Sequence, residues 1–427
     1  MLKDISMKPF SVATHILCFF LIACNLNAQI TTCRIKGKTV DRDSKQLILL
    51  PETEDPRFSG TKITIVNNQF DSTFTVPEIV QYNLIFEDEF QRGAWKPVGF
   101  FPENCEINFT LHNAKDDKLN LIQGGMLNHK KTIFDQKSDS IFTPLLRSYY
   151  AVTDSLWKAN AYFSDKVNAI NEALRKSKDV NLNNKLYRER EQLEKAGEMF
   201  SAEAASHIHK IDSIENIRMY WQNEYIQSNI DLFSFSLIYS SLKRYNQTKK
   251  GVDITFINDI FPEFRQKFPN HPYTVKISQM LHAINKLNIG SPYIDFEAPT
   301  LDGKTVRVSD SIKGKVALID LWASWCGPCR ALNRSMIPVY DKFKSKGFTI
   351  IGVACEFKNP DAFKVALERD KYPWLNLIEL DNRNGIWSKY NISGSGGSTF
   401  LIDENGIIIA IHPGAEELDE KLEEIFK

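Results

Sequence analysis

The stretch that decides the fold is Val316-Ala317-Leu318-Ile319-Asp320-Leu321-Trp322-Ala323-Ser324-Trp325-Cys326-Gly327-Pro328-Cys329-Arg330. From Val316 to Ala323 only Asp320 is polar. A continuous apolar run of this length fits a strand covered on both faces, as in a parallel sheet. After Ser324 the pattern changes, and Arg330-Ala331-Leu332 opens a helical periodicity. A Cys-x-x-Cys placed where a strand hands over to a helix has a physical purpose. The unsatisfied N–H groups and positive end of the helix stabilise a thiolate on the first cysteine. Two intervening residues let the second sulfur close a disulfide by attack on a mixed disulfide. Cys326 is therefore expected to be the exposed nucleophile and Cys329 the shielded resolving thiol, the pair forming a redox-active disulfide. The rival is half of a zinc site, which needs two further Cys or His ligands at suitable spacing. No second Cys-x-x-Cys and no paired His supplies them, so no metal and no cofactor is expected.

Trp325-Cys326-Gly327-Pro328-Cys329-Arg330 after an apolar strand resembles the thioredoxin active site. Ala298-Pro299-Thr300-Leu301-Asp302-Gly303-Lys304, followed by Gly314-Lys315-Val316, resembles the exported TlpA branch, where a small hairpin precedes the core. Phe348–Val353, Ser398–Asp403 and Gly406–Ile409 fit the later strands in order. The resemblance covers 289–427 and implies an α/β thioredoxin-like domain with Trp325, Gly327 and Pro328 flanking the dithiol. Asp320 stands where thioredoxin carries a buried Asp. Its apolar neighbours predict burial, which raises a carboxyl pKa, and a role passing protons with Cys329.

Two positions depart from the family. Leu332 replaces a Glu found in many TlpA relatives three residues after the second Cys. Gly397, within Gly394-Ser395-Gly396-Gly397, replaces the cis-Pro that flanks the disulfide. A non-proline cis bond costs ~3–4 kcal/mol, so this loop is expected to be trans, mobile and open around the thiolates. A proline introduced at 397 would then improve substrate affinity. Cys355, at the end of the strand beside the active-site strand, is expected near the dithiol, as packed thiol or third redox thiol.

Working outward, Ile289-Gly290-Ser291-Pro292 marks a boundary, and 138–288 reads as a helical region. Leu145, Tyr149, Val152, Leu156 and Ala159 recur at helical spacing, as do Leu186, Leu193, Phe200, Ala204, Ile208 and Ile211. Asn181-Leu182-Asn183-Asn184 reads as a turn, and Pro262, Pro269 and Pro272 as breaks. The Glu/Lys-rich stretch from Arg188 to Lys210 reads as a packing spacer or a homodimer-forming segment. His207 and His209, two apart, face different sides of a helix.

Residues 29–137 alternate in short segments: Cys33–Val40, Thr61–Val66, Phe74–Val76, Tyr82–Phe86 and Ile107–Leu111. These predict an antiparallel β-sandwich. The opening resembles a small β domain found ahead of thioredoxin domains in exported bacterial proteins. The chain is thus multidomain: sandwich, helices, then thioredoxin-like fold.

Residues 1–28 read as a signal peptide. Lys3 and Lys8 precede an apolar run from Ile16 to Cys24, and Ala28 offers a small residue at the cut. The run is shorter than the roughly 20 apolar residues needed to span a bilayer. Leu21-Ile22-Ala23-Cys24 also resembles a lipobox, so the alternatives are cleavage near Ala28 and a lipid anchor at Cys24. Either places the chain in the periplasm or cell envelope. Without Cys18 and Cys24 the cysteines are Cys33, Cys105, Cys326, Cys329 and Cys355, an odd number. Cys33 and Cys105 either pair across the sandwich or stay free.

The chain of 427 residues has 53 basic and 53 acidic residues. This balance, with no basic stripe, gives no general field toward nucleic acid or anionic lipid. The expected activity is thiol–disulfide exchange with protein thiols, in the reducing direction, fed by an upstream envelope electron donor. The alternatives are a scaffold with a vestigial dithiol and a thiol peroxidase. The peroxidase requires a Thr three residues before its nucleophile, where Ala323 stands.

Overall fold

The computed structural model describes residues 30–427 except Phe58, Lys178 and 393–395. Residues 1–29, with the expected signal peptide and Cys24, and Gly394 and Ser395, lie outside the described residues. No helix among those described is long and apolar enough to cross a membrane.

The N-terminal β region consists of two four-stranded sheets. In the first, Thr31–Val40 lies between Gln69–Val76 and Glu106–His112, with Leu121–Gln123 at the edge. In the second, Gln46–Pro51 and Tyr82–Phe86 are central, flanked by Thr61–Thr64 and Val98–Phe100. Alternating inward residues, among them Ile35, Leu47, Leu84, Phe100 and Leu111, form the core between them. The expected all-antiparallel arrangement needs one correction: Thr31–Val40 pairs parallel with Glu106–His112, Ile35 opposite Ile107. Such a pairing requires a long connection, and the whole second sheet supplies it.

The helix Met126–Lys158 starts ahead of the expected boundary at 137/138 and runs across it. Gly124 and Gly125 turn the chain at positive φ, and the Glu103 carboxylate accepts the Met126 and Leu127 N–H groups at 2.9 Å each. That acceptor satisfies the orphan donors of the first turn. The buried stripe of this helix is Phe134, Ser138, Phe142 and Leu146. Leu145, placed on that face by the spacing, is exposed.

Two other expectations are corrected. Asn181–Asn184 lies inside the helix Val180–Lys195, not in a turn. The preceding helix ends at Lys176, and the Asp179 side chain accepts the Leu182 N–H at 3.2 Å and caps the next. Pro262 sits inside the helix Ile254–Lys267 without ending it. Burial of Phe261 and Phe264 in the helical core offsets the ~3 kcal/mol that an interior proline costs. Pro272 opens the next helix, Pro272–Lys286, at its first turn, where its missing N–H is not needed.

The C-terminal domain is an α/β thioredoxin-like fold. Its five-stranded sheet runs Leu375–Leu380, Phe348–Glu356, Val316–Trp322, Ser398–Ile402, Ile408–Ile411. Val316–Trp322 is central and buried at every residue. It pairs parallel with Phe348–Glu356 and antiparallel with Ser398–Ile402. The hairpin Glu297–Pro299 with Thr305–Arg307 precedes it.

The three regions touch. Asn128 holds the Phe101 backbone through two 2.8 Å bonds. Glu52, buried between sandwich and helices, accepts the Tyr273 hydroxyl at 2.5 Å and the Gln81 amide at 3.2 Å. Arg188 pairs with Glu416. Arg57 of the sandwich reaches Trp325, its Cζ 4.9 Å from the ring centroid.

Candidate active site

The central strand ends at Trp322, and Gly327–Phe343 begins as a helix five residues later, with Cys326 at its N-cap. Pro328 in the first turn is pre-set for helical φ. Cys326 and Cys329 are joined in a disulfide, their Cα atoms 5.3 Å apart. The Cys329 N–H points at Cys326 Sγ at 3.3 Å, so the first sulfur occupies the anion-favouring end of a helix.

Exposure runs opposite to the expected order. Cys326 is 7% exposed and belongs to the core cluster that also holds Ala323, Cys355 and Trp387, whereas Cys329 is only half-buried at its margin. The N-cap residue still lies in the apolar interior that the strand leaves behind, while Cys329 is further along the helix. The distinction between the sulfurs rests on their donors. Cys326 Sγ faces the helix end, and Cys329 Sγ accepts the Gly397 N–H at 3.3 Å.

That bond overturns the expectation of an open loop at Gly397. The described peptide bonds there are trans. A Cβ at 397 would meet Leu321 O at 2.0 Å and Cys329 Sγ at 3.1 Å. Glycine allows the backbone to close onto the disulfide, and proline would bring both a clash and the loss of the donor.

Asp320 is 2% exposed, and burial pushes its carboxyl up to about 8, opposed only by the Asn333 side chain. Its Oδ2 has no hydrogen-bond partner among the described residues. Asp320 lines a cavity of about 370 Å³ together with Cys326, Cys329, Leu332, Gly396 and His412. The structure thus brings Asp320, both cysteines, Trp325, Gly327, Pro328 and Gly397 to one cavity.

Three neighbours were not legible in the sequence. Glu356, 1% exposed, accepts the Ser324 N–H and hydroxyl at 2.6 Å each. Burial raises its pKa, opposed by the Ser324 bonds and Arg330. It holds the turn before Cys326, and Arg330 braces the same turn through Ser324 O at 3.4 Å. A carboxylate closing the apolar strand Phe348–Glu356 was the available signal. His412 follows Ile408–Ile411 with φ 57° and has Ser398 Oγ 3.4 Å from its ring. Burial and Lys249 lower its pKa. Arg57 carried no signal at all, because its partner belongs to another domain.

The remaining candidates lie elsewhere or are quiet. Cys355 is buried, and burial with Glu379 and Glu356 pushes its thiol up to about 12; such a group packs and does not react. Cys33 and Cys105 are free. Cys33 is buried in the sandwich core and Cys105 is exposed; the two lie close, since Arg34 N–H bonds Cys105 O at 3.2 Å and Cys105 adds to the burial that raises the Cys33 thiol. His207 packs against Tyr149 at 5.8 Å on the helix Ala202–Ser228, away from the dithiol.

A strand–dithiol–helix unit at the centre of this sheet defines the thioredoxin-like class. The AhpC/TSA family model matches residues 289–411. Thiol:disulfide interchange protein DsbE of Pseudomonas fluorescens biotype C is 32% identical over 121 residues, 28% of this chain and 64% of that protein. That match spans slightly less than two thirds of the relative. Thiol-disulfide oxidoreductase ResA of Bacillus thuringiensis subsp. konkukian is 31% identical over 143 residues, 33% of this chain and 79% of that protein. The thioredoxin domain of a thiol-disulfide oxidoreductase from Bacteroides vulgatus is 30% identical, with 33% of this chain covering 100% of that one, at a TM-score of 0.31. Through its C-terminal third, this chain belongs to the thioredoxin-like thiol–disulfide oxidoreductases.

Proposed function

We propose that the chain exchanges disulfides with protein thiols in the cell envelope, in the reducing direction. The observation that carries this reading is the Cys326–Cys329 disulfide at a helix N-terminus, sharing a cavity with a carboxyl that burial raises to about 8, so that near neutral pH it can both take and return a proton. In the reduced form the Cys326 thiolate attacks a substrate disulfide, and the first substrate sulfur leaves as a thiolate. Cys329 then attacks Cys326 Sγ, releases the second substrate sulfur and closes the protein disulfide. Two electrons pass to the substrate. The ionised form of Asp320 takes the Cys329 proton as that thiol becomes a nucleophile, while the Gly397 N–H steadies the charge on its sulfur. An envelope electron donor reopens the disulfide.

Gly-Pro between the cysteines supports the reducing direction, since thioredoxin stands at ~ −270 mV. The positive start, apolar run and small residues of 1–28 support export, with Cys24 as the acceptor if a lipid anchor is added. The test is insulin reduction by wild type and Cys326→Ser, with mixed-disulfide trapping by Cys329→Ala in an envelope fraction. Wild type is expected well above the Cys326→Ser background, with trapped partners on the Ala variant. Equal turnover and no trapped species would leave a scaffold.

A further inference from the structure

The sandwich segment leading from Glu52 to Arg57 reaches the active-site face. Its base is fixed: the Glu52 N–H donates to Gln81 O at 2.8 Å, and the Glu52 carboxylate lies under Tyr273. Within the loop, Asp55 receives the Arg57 N–H and Nε at 2.9 Å each, and a terminal guanidinium nitrogen at 2.5 Å. Ser59 N–H closes back on Asp55 O at 3.2 Å. The guanidinium is thereby aimed and largely neutralised, so its flat face matters more than its charge. That face covers Trp325 at 4.9 Å and Phe357 at 5.7 Å. Trp325 in turn stacks on Phe357 at 5.3 Å and donates its indole N–H to Cys355 O at 3.2 Å. Arg57, Trp325 and Phe357 form one braced layer on one side of the dithiol.

A Cβ at Gly327 would meet nothing within 4 Å among the described residues, so a foreign backbone can approach the dithiol there. The cavity lined by Trp325, Cys326 and Cys329, about 370 Å³, holds roughly a dozen waters at ~30 Å³ each, the room of a side chain or two. An extended chain is narrow, with strands only about 4.8 Å apart, and needs little width beside the dithiol. A disulfide set in the face of a compact protein must bring a broad surface with it, and the Arg57–Trp325–Phe357 layer adjoins the sulfurs it has to reach.

We propose that Arg57 and its loop make the sandwich a selector for the dithiol, admitting extended polypeptide segments and disfavouring disulfides on compact folded surfaces. Arg57 is a positioning residue: it touches Trp325, not the reacting sulfurs. The proposal rests on the thiol–disulfide reading above.

The test uses the full mature chain with two probes: folded insulin, and an unstructured decapeptide whose single cysteine is a glutathione mixed disulfide. The quantity read is the ratio of kcat/KM for insulin to that for the peptide. Arg57→Ala is expected to raise this ratio about tenfold, through a lower KM for insulin. Arg57→Lys keeps the charge but not the planar face and is expected to move the ratio in the same direction. It decides the matter if the alanine variant loses thermal stability. A ratio within twofold of wild type in the folded variants, or one that falls, overturns the selector. Wild type inactive on both probes would instead remove the underlying thiol–disulfide reading.

Discussion

Asp320 and Glu52 are both carboxyls taken out of water, one behind the dithiol and the other at the seam between sandwich and helices. Burial pushes Asp320 up to about 8 and Glu52 up to about 7. Their surroundings differ. Glu52 is met by the Tyr273 hydroxyl, the Gln81 amide and Ser240, whereas Asp320 lines a cavity with two cysteines and has one oxygen with no partner among the described residues. A raised pKa alone therefore does not mark chemistry. A raised pKa in a cavity shared with a thiol that must lose a proton does.

The sharpest way to break this contrast is Asp320→Asn. Turnover at pH 7 is expected to fall about 100-fold, the lower range for a positioned acid–base group, while stability rises. The folded pKa lies above the unfolded value of 3.8, so above pH 4 the unfolded chain binds fewer protons than the folded one. Stability then falls as pH rises, levelling off above pH 8, at a cost on the order of 5 kcal/mol. The amide removes that loss, and denaturation midpoints at pH 5 and pH 9 check it. A variant with full turnover would put proton transfer elsewhere.

Glu52→Gln is expected to show the stability effect without the catalytic one. The same sign applies between 4.5 and about 7, and removing the titration gains about 3 kcal/mol at pH 8. Insulin reduction should stay within twofold of wild type. A large loss of turnover would erase the distinction between the two carboxyls.

The smallest expected effect sharpens the active-site half of the comparison. Gly397→Ala forces a methyl toward Leu321 O and is expected to cost about 1–3 kcal/mol, as overpacking does. Displacing the N–H from Cys329 Sγ should also raise the second thiol pKa, read from the pH dependence of alkylation in reduced protein. Unchanged stability and alkylation would mean that the loop yields freely.

What was legible in the sequence was what is local. Val316–Arg330 carried its strand, turn, dithiol and helix within one stretch, and Asp320 followed from the apolar residues around it. Contacts assembled from afar were not legible. Gln46–Pro51 offers a continuous apolar run that periodicity does not resolve, and only its central place in a sheet explains it. Gly397 was misjudged because a glycine in place of a proline reads as loss, when the constraint is the closeness of Leu321 O. Pro262 was misjudged because the phenylalanines around it outweigh its backbone cost. Arg57 and Trp325 meet only after two domains have formed.

The parallel neighbour of the first strand has a consequence for the order of events in folding. Thr31–Val40 sits inside its sheet, and one of its two partners, Glu106–His112, arrives only after the entire second sheet. Loop-closure entropy must be met before that pairing rewards it, which slows such topologies. During synthesis, with residues emerging at ~5–20 per second, the strand waits several seconds with one edge unpaired. Unpaired strand edges invite association with other chains. The alternating Lys36 and Lys38 along that strand supply charge that discourages such pairing until the sheet closes.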